Sequence, residues 1–172
     1  MGRASLTCIV MVAILVVAPP ATSTASARSS EPSGRTMCFG AEADIVGTPD
    51  DDVLEGTPAN DVIAGLGGDD SISGFGGGDV ICGGTGMDDL TGGGGNDTML
   101  GGGAPDIVRG STGEDLMYGN AGIDAMFGGP ADDVLDGGTG GDDLRGLGGD
   151  DEAFGGRGTD DCVAETEVDC ES

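Results

Sequence analysis

A period of nine residues runs without insertion or deletion through most of this chain. Residues 83–97 read GGTGMDDLTGGGGND, two copies of one phrase back to back. The same phrase fills residues 47–163 as thirteen consecutive copies. Position one is glycine in every copy. Position six is always aspartate: Asp52, Asp61, Asp70, Asp79, Asp88, Asp97, Asp106, Asp115, Asp124, Asp133, Asp142, Asp151 and Asp160. Position eight is apolar: Leu54, Ile63, Ile72, Ile81, Leu90, Met99, Val108, Met117, Met126, Leu135, Leu144, Ala153 and Cys162. A low-complexity Gly/Asp tract would drift in register, and this one does not. A period of this length marks a stack of small units, each too small to bury a core alone.

The two halves of the phrase ask for different things. Six glycine-rich residues ending in aspartate suit a tight turn, because glycine permits positive φ and lets carbonyls aim at one point. The last three residues suit a very short strand whose central side chain faces inward. Oxygen donors without nitrogen or sulfur suit a hard cation, and a flexible shell of six to eight oxygens suits calcium over magnesium.

Composition makes the same demand. The chain has 172 residues, 38 of them glycine, with 3% aromatics and a formal charge of −26. Without counterions, such acidity with so few aromatics predicts disorder. Lysine is absent and only six arginines are present, so nucleic-acid binding through clustered cations is excluded. Histidine is absent as well. HExxH metalloprotease, Ser-His-Asp and Walker A chemistries therefore have no residues to use, and no enzyme is expected. Acid pairs such as Asp132–Asp133 lie in the repeat register instead.

With those residues in view, the phrase resembles the RTX (repeats-in-toxin, hemolysin-type) calcium-binding repeat, G-G-x-G-x-D-x-U-x. The copies at residues 83–91, 92–100 and 137–145 fit it in full. The resemblance implies an all-β fold, a right-handed parallel β-roll with two copies per turn and calcium between successive turns. It also implies that the thirteen position-six aspartates and the turn carbonyls are ligands. Copies on one edge then lie 18 residues apart. Seven aspartates fall on one edge and six on the other, which bounds the ions at eleven. The first two copies carry Pro49 and Pro58 at position three and Asp50 and Ala59 at position four, which makes their turns the least permissive. Ala104 and Ala131 also replace the position-four glycine. Ala153 and Cys162 bury little, so a looser core is expected at the C-terminal end.

The flanks read as follows. Residues 1–27, with Arg3, the apolar run 8–18 and Ala25-Ser26-Ala27, have the form of an export signal. Eleven apolar residues are too few to span a bilayer. The expected location is secreted and extracellular, and arginine-only, Gly/Ala-rich usage suggests a GC-rich bacterial source. Losing residues 1–27 leaves five arginines against 32 acids, a net −27. Eleven calcium ions would reduce that to about −5. Residues 28–37 read as a flexible linker, 38–46 as a degenerate N-terminal cap, and 164–172 as an acidic C-terminal tail.

Four cysteines remain beyond the signal, an even number that favours disulfides in an exported chain. Three connectivities are possible. Cys162–Cys170 would fold the tail over the last copy, and Cys38–Cys82 would pin the cap to an early copy. Positions seven and nine of the even copies form an unexpectedly apolar face with Val62, Ala64, Val80, Cys82, Leu100, Leu116, Tyr118, Val134 and Phe154. Two readings stand. Either the N-terminal segment with Phe39 covers this face, or the Val80/Leu100/Tyr118 surface meets a second copy or another partner.

Overall fold

The computed structural model describes residues 35–170. The expected export signal at 1–27 and most of the expected linker lie outside the described residues. The described chain is all β, with no helix. Two parallel sheets face each other. One has seven strands, from Val53–Glu55 to Asp161–Val163. The other has eight, from Ile45–Val46 to Thr166–Val168. The chain alternates between them, so each pairing joins residues about one full turn apart. Ser71 pairs with Asp89 and Asp89 with Ile107 in one sheet, and Val80 with Thr98 and Thr98 with Leu116 in the other.

Each turn takes 18 residues, two nine-residue copies, as the resemblance implies. Position eight always points between the sheets. Ile63, Ile72, Ile81, Leu90, Met99, Val108, Met117, Met126, Leu135, Leu144 and Ala153 form one continuous buried column. Ile45, Leu54 and Cys162 close it only partly at the ends. Ala153 is fully buried despite its size. The strands of the central turns are six or seven residues long rather than three. They run from position seven through position three of the next copy, as in Val80–Thr85 and Asp89–Gly94. Position two sits inside the strand span with positive φ, for example Leu66 at 83° and Gly84 at 121°. The chain thus bends at a point where the ladder continues on both sides.

The N-terminal segment is an antiparallel hairpin of Met37–Cys38 and Ala41–Glu42, followed by Ile45–Val46 as the first rung of the eight-stranded sheet. Met37, assigned to the linker by composition, is the hairpin's first residue. The hairpin lies on the outer face of that sheet. Cys38 packs with Ala64, Cys82 and Leu100, and Val62, Val80 and Tyr118 border the cluster. Cys38 is bonded to Cys82, and Cys162 to Cys170. Phe39 stacks on Tyr118 with ring centroids 5.9 Å apart. The Val80/Leu100 part of the apolar face is therefore covered by the chain itself. Among the described residues, no helix is long and apolar enough to cross a membrane.

Candidate metal centres along the two edges

The two edges of the roll hold the turns, and each interior position-six aspartate ties three turns together. Asp88 is representative. Its N–H donates to Asp106 Oδ1 at 2.8 Å, and its Oδ1 accepts the Asp70 N–H at 2.9 Å. Its carbonyl accepts the Ile107 N–H at 2.8 Å. The same Oδ1 ladder runs from Asp70 to Asp160 on one edge and from Asp79 to Asp151 on the other. Glu165 stands in at the end of the second, accepting the Asp151 N–H at 3.0 Å.

The second carboxylate oxygen is different. Oδ2 of Asp70, Asp79, Asp88, Asp97, Asp106, Asp115, Asp124, Asp133, Asp142, Asp151 and Asp160 is buried and has no hydrogen-bond partner. A buried acceptor without a donor costs free energy unless something else satisfies it. Eleven repeats of one such orphaned oxygen, on residues almost wholly removed from solvent, are the form a row of cation sites would take.

The neighbourhood of each Oδ2 is made of backbone. A Cβ placed on Gly83 would run into Asp88 Oδ2 and lie 2.7 Å from the Gly101 carbonyl oxygen. A Cβ on Gly86, where φ is +121°, would collide with the Gly68 carbonyl oxygen one turn back. Position-one glycines therefore bring each Oδ2 against bare backbone, in most copies beside a carbonyl oxygen of the neighbouring turn. Among the described residues, no three His, Cys, Asp or Glu side chains form a group able to hold a metal. Carbonyl oxygens must complete any shell here. This donor set is all oxygen and fits calcium.

Asp52 and Asp61 stand apart from the other eleven. Thr48 donates to Asp52 Oδ2 through its N–H at 2.6 Å and its hydroxyl at 2.9 Å. Thr57 does the same for Asp61, at 2.6 and 2.8 Å. In both copies threonine holds position two, and neither threonine has positive φ. From the third copy onward position two takes positive φ, even where it is Leu66, Phe75, Ser111, Asn120 or Leu147. Those eleven copies are the ones whose Oδ2 is open. The signal was present in the sequence as Thr at position two, but composition alone gave it no meaning.

Burial has an electrostatic consequence. Desolvation pushes Asp88, Asp97, Asp124 and Asp133 up to about 6 and Asp106 and Asp115 up to about 7. Backbone N–H donation to Oδ1 lowers each carboxyl, and neighbouring aspartates along the edge raise it again. Asp70, Asp79 and Asp142 move in the same direction for the same main reason. A row of like carboxylates in a poorly solvated edge resists ionisation unless a cation accompanies it.

Fold and edges together define a class: a parallel β-roll whose turns present oxygen donors to hard cations. The model of the RTX calcium-binding nonapeptide repeat matches residues 44–81, 55–90, 73–108, 91–126, 100–135 and 127–162. These matches span well over half of the chain, and the chain belongs to the RTX calcium-binding nonapeptide repeat family. Its repeats bind calcium. None of the curated proteins compared matches the chain.

Proposed function

We propose that this is a secreted calcium-binding protein without catalytic activity, whose folding and calcium binding are one event. The observation that carries this reading is the set of eleven orphaned Oδ2 atoms packed against position-one glycines and turn carbonyls. Asp70, Asp79, Asp88, Asp97, Asp106, Asp115, Asp124, Asp133, Asp142, Asp151 and Asp160 would hold the ions, with turn carbonyls from neighbouring copies. Asp52 and Asp61 spend the same oxygen on threonine and would serve as structural closures instead. Bound calcium supplies positive charge and a flexible oxygen shell. The chain's own part is to fix Oδ1 through the inter-turn N–H and leave Oδ2 open.

The linkage to folding is electrostatic. Without cations, carboxylates repeat along each edge at about one strand spacing, near 4.8 Å. Their repulsion and desolvation oppose the roll, and the aliphatic column is thin. Calcium binding to folded but not unfolded chain then stabilises the roll by mass action. Export fits this arrangement, because extracellular modules commonly bind calcium at about 0.1 to 1 mM. A titration followed by far-UV circular dichroism and calorimetry tests both parts. The expected result is a cooperative gain of β signal with several ions bound per chain. Equal β content in EDTA and in millimolar calcium would overturn it.

A second reading, a calcium-dependent structural or adhesive module, draws on the part of the apolar face that the hairpin leaves uncovered. It shares the calcium chemistry and differs only in having a partner.

A further inference from the structure

The outer faces of the two sheets carry side chains that calcium does not use. On the eight-stranded sheet, position nine runs Tyr118, Asp136, Phe154 across three adjacent strands. The hairpin's cover ends at Tyr118, where Phe39 stacks. Asp136 is thus a half-buried carboxylate between two aromatics, and its burial disfavours the charged form. Burial raises the Tyr118 hydroxyl, and the charge of Asp136 adds to it. A carboxylate set in an apolar rank without a cation beside it is incomplete.

On the seven-stranded sheet, position nine of three adjacent strands runs Arg109, Phe127, Arg145. Arg109 is paired with Asp89, and Arg145 with Asp143 at 2.9 Å, so both guanidiniums are held on the face. Two of the six arginines and three of the five aromatics in the sequence lie in these two ranks. Both ranks have one residue per strand, so their spacing is the same, about 4.8 Å. With a one-strand offset, an arginine of one rank meets Asp136 of the other, and Phe127 meets Tyr118 or Phe154. This holds whichever way the strands run. The complement of Asp136 is therefore present on the opposite side of the same molecule.

We propose that calcium-loaded rolls stack face to face, the Arg109–Phe127–Arg145 rank of one copy docking on the Tyr118–Asp136–Phe154 rank of the next. The contact is heterologous: each copy uses two different faces on opposite sides. Such contacts propagate into linear assemblies rather than closing at a dimer. The proposal rests on the calcium reading, because bound calcium removes much of the like charge that keeps copies apart. A second copy fits better than an unrelated basic partner, since it brings cation and aromatic at the matching spacing.

Two disabling variants test it. Arg109→Glu with Arg145→Glu removes one face, and Asp136→Arg removes the other. Far-UV circular dichroism in saturating calcium first establishes that each is loaded and folded. If the wild type itself takes up no calcium, the calcium reading fails before assembly is tested. Sedimentation velocity then follows each sample from about 1 µM to about 1 mM. The wild type should grow beyond dimers with concentration, and each variant alone should stay monomeric. The two variants mixed should regain growth beyond dimers, because each retains the face that the other lacks and the two reversed faces are again opposite in charge. A loaded wild type that stays monomeric overturns the proposal, as does a variant that still assembles alone or a mixture that stays monomeric. If a charge reversal prevents folding, Arg145→Gln and Asp136→Asn provide the milder pair, with weakened growth expected and unchanged growth overturning the proposal.

Discussion

The main-chain N–H of Asp88 donates to Asp106 Oδ1 at 2.8 Å, one full turn further along the edge, while Asp106 Oδ2 is buried with no partner. One carboxylate thus has a structural oxygen and an open one. Asp106→Asn can keep the first and removes the charge of the second, placing an NH2 group where that oxygen stood. We expect Asp106→Asn to lower the calcium stoichiometry by at least one and to raise the calcium midpoint several-fold. Asp52→Asn should leave the stoichiometry unchanged, because Thr48 already occupies that oxygen. Isothermal calorimetry on the two variants decides the matter, and identical behaviour would sink the distinction between open and closed turns.

pH should act in opposite directions on the metal-free and loaded forms. The carboxyls of Asp106 and Asp115 titrate near 7 in the fold, and those of Asp88, Asp97, Asp124 and Asp133 near 6, against an ordinary 3.8. The folded state therefore binds more protons than the unfolded one between these values. Their contribution to metal-free stability is greatest below about pH 4 and is lost as pH rises through 6 to 7. In EDTA, the β signal should be stronger at pH 4.5 than at pH 8. Calcium needs the ionised form, so its midpoint should rise as pH falls from 8 to 5.5, with protons released on binding. A calcium midpoint independent of pH over that range would contradict the assignment.

Much of this was legible from the period alone. Glycine, aspartate and an apolar residue at fixed places gave the column from Ile63 to Ala153, and the 18-residue register came only with the family resemblance. The period could not show that strands would extend through position three, because that depends on neighbouring turns donating ladder bonds across a positive-φ residue such as Leu66. Nor could it separate Asp52 and Asp61 from the rest, since the distinction lies in hydrogen bonds from Thr48 and Thr57. The apolar face was visible, but its main occupant was one of two readings. The hairpin carrying Cys38 and Phe39 shows how the chain covers Ala64, Cys82 and Leu100 itself.

Glycine substitutions should divide sharply by position. A Cβ on Gly86 would meet the Gly68 carbonyl, and φ there is +121°. A Cβ on Gly103 would meet nothing within 4 Å. Gly86→Ala should cost more than about 2 kcal/mol, combining left-handed strain with the clash. Gly103→Ala should fall within about 1 kcal/mol of the wild type, because loss of glycine's unfolded freedom works in its favour. Urea midpoints in saturating calcium measure both. Equal losses would mean that turn sterics do not set the stability of the edges.

The Cys38–Cys82 bond closes a separation of 44 residues and holds the hairpin on the sheet. Loop entropy assigns such a closure about 4 kcal/mol, more than the 8-residue closure at Cys162–Cys170. Cys38→Ser with Cys82→Ser should therefore raise the calcium midpoint more than Cys162→Ser with Cys170→Ser. It should also free Tyr118 from Phe39. Tyr118 is the sole tyrosine and the chain has no tryptophan, so emission reports on the surroundings of this one ring, Phe39 included. In saturating calcium, emission from Tyr118 should change in the first variant and not in the second. If both variants left it unaltered, the hairpin would be held by packing of Leu100 and Ala64 rather than by the bond. The calcium midpoint of the first variant would then stay close to that of the wild type.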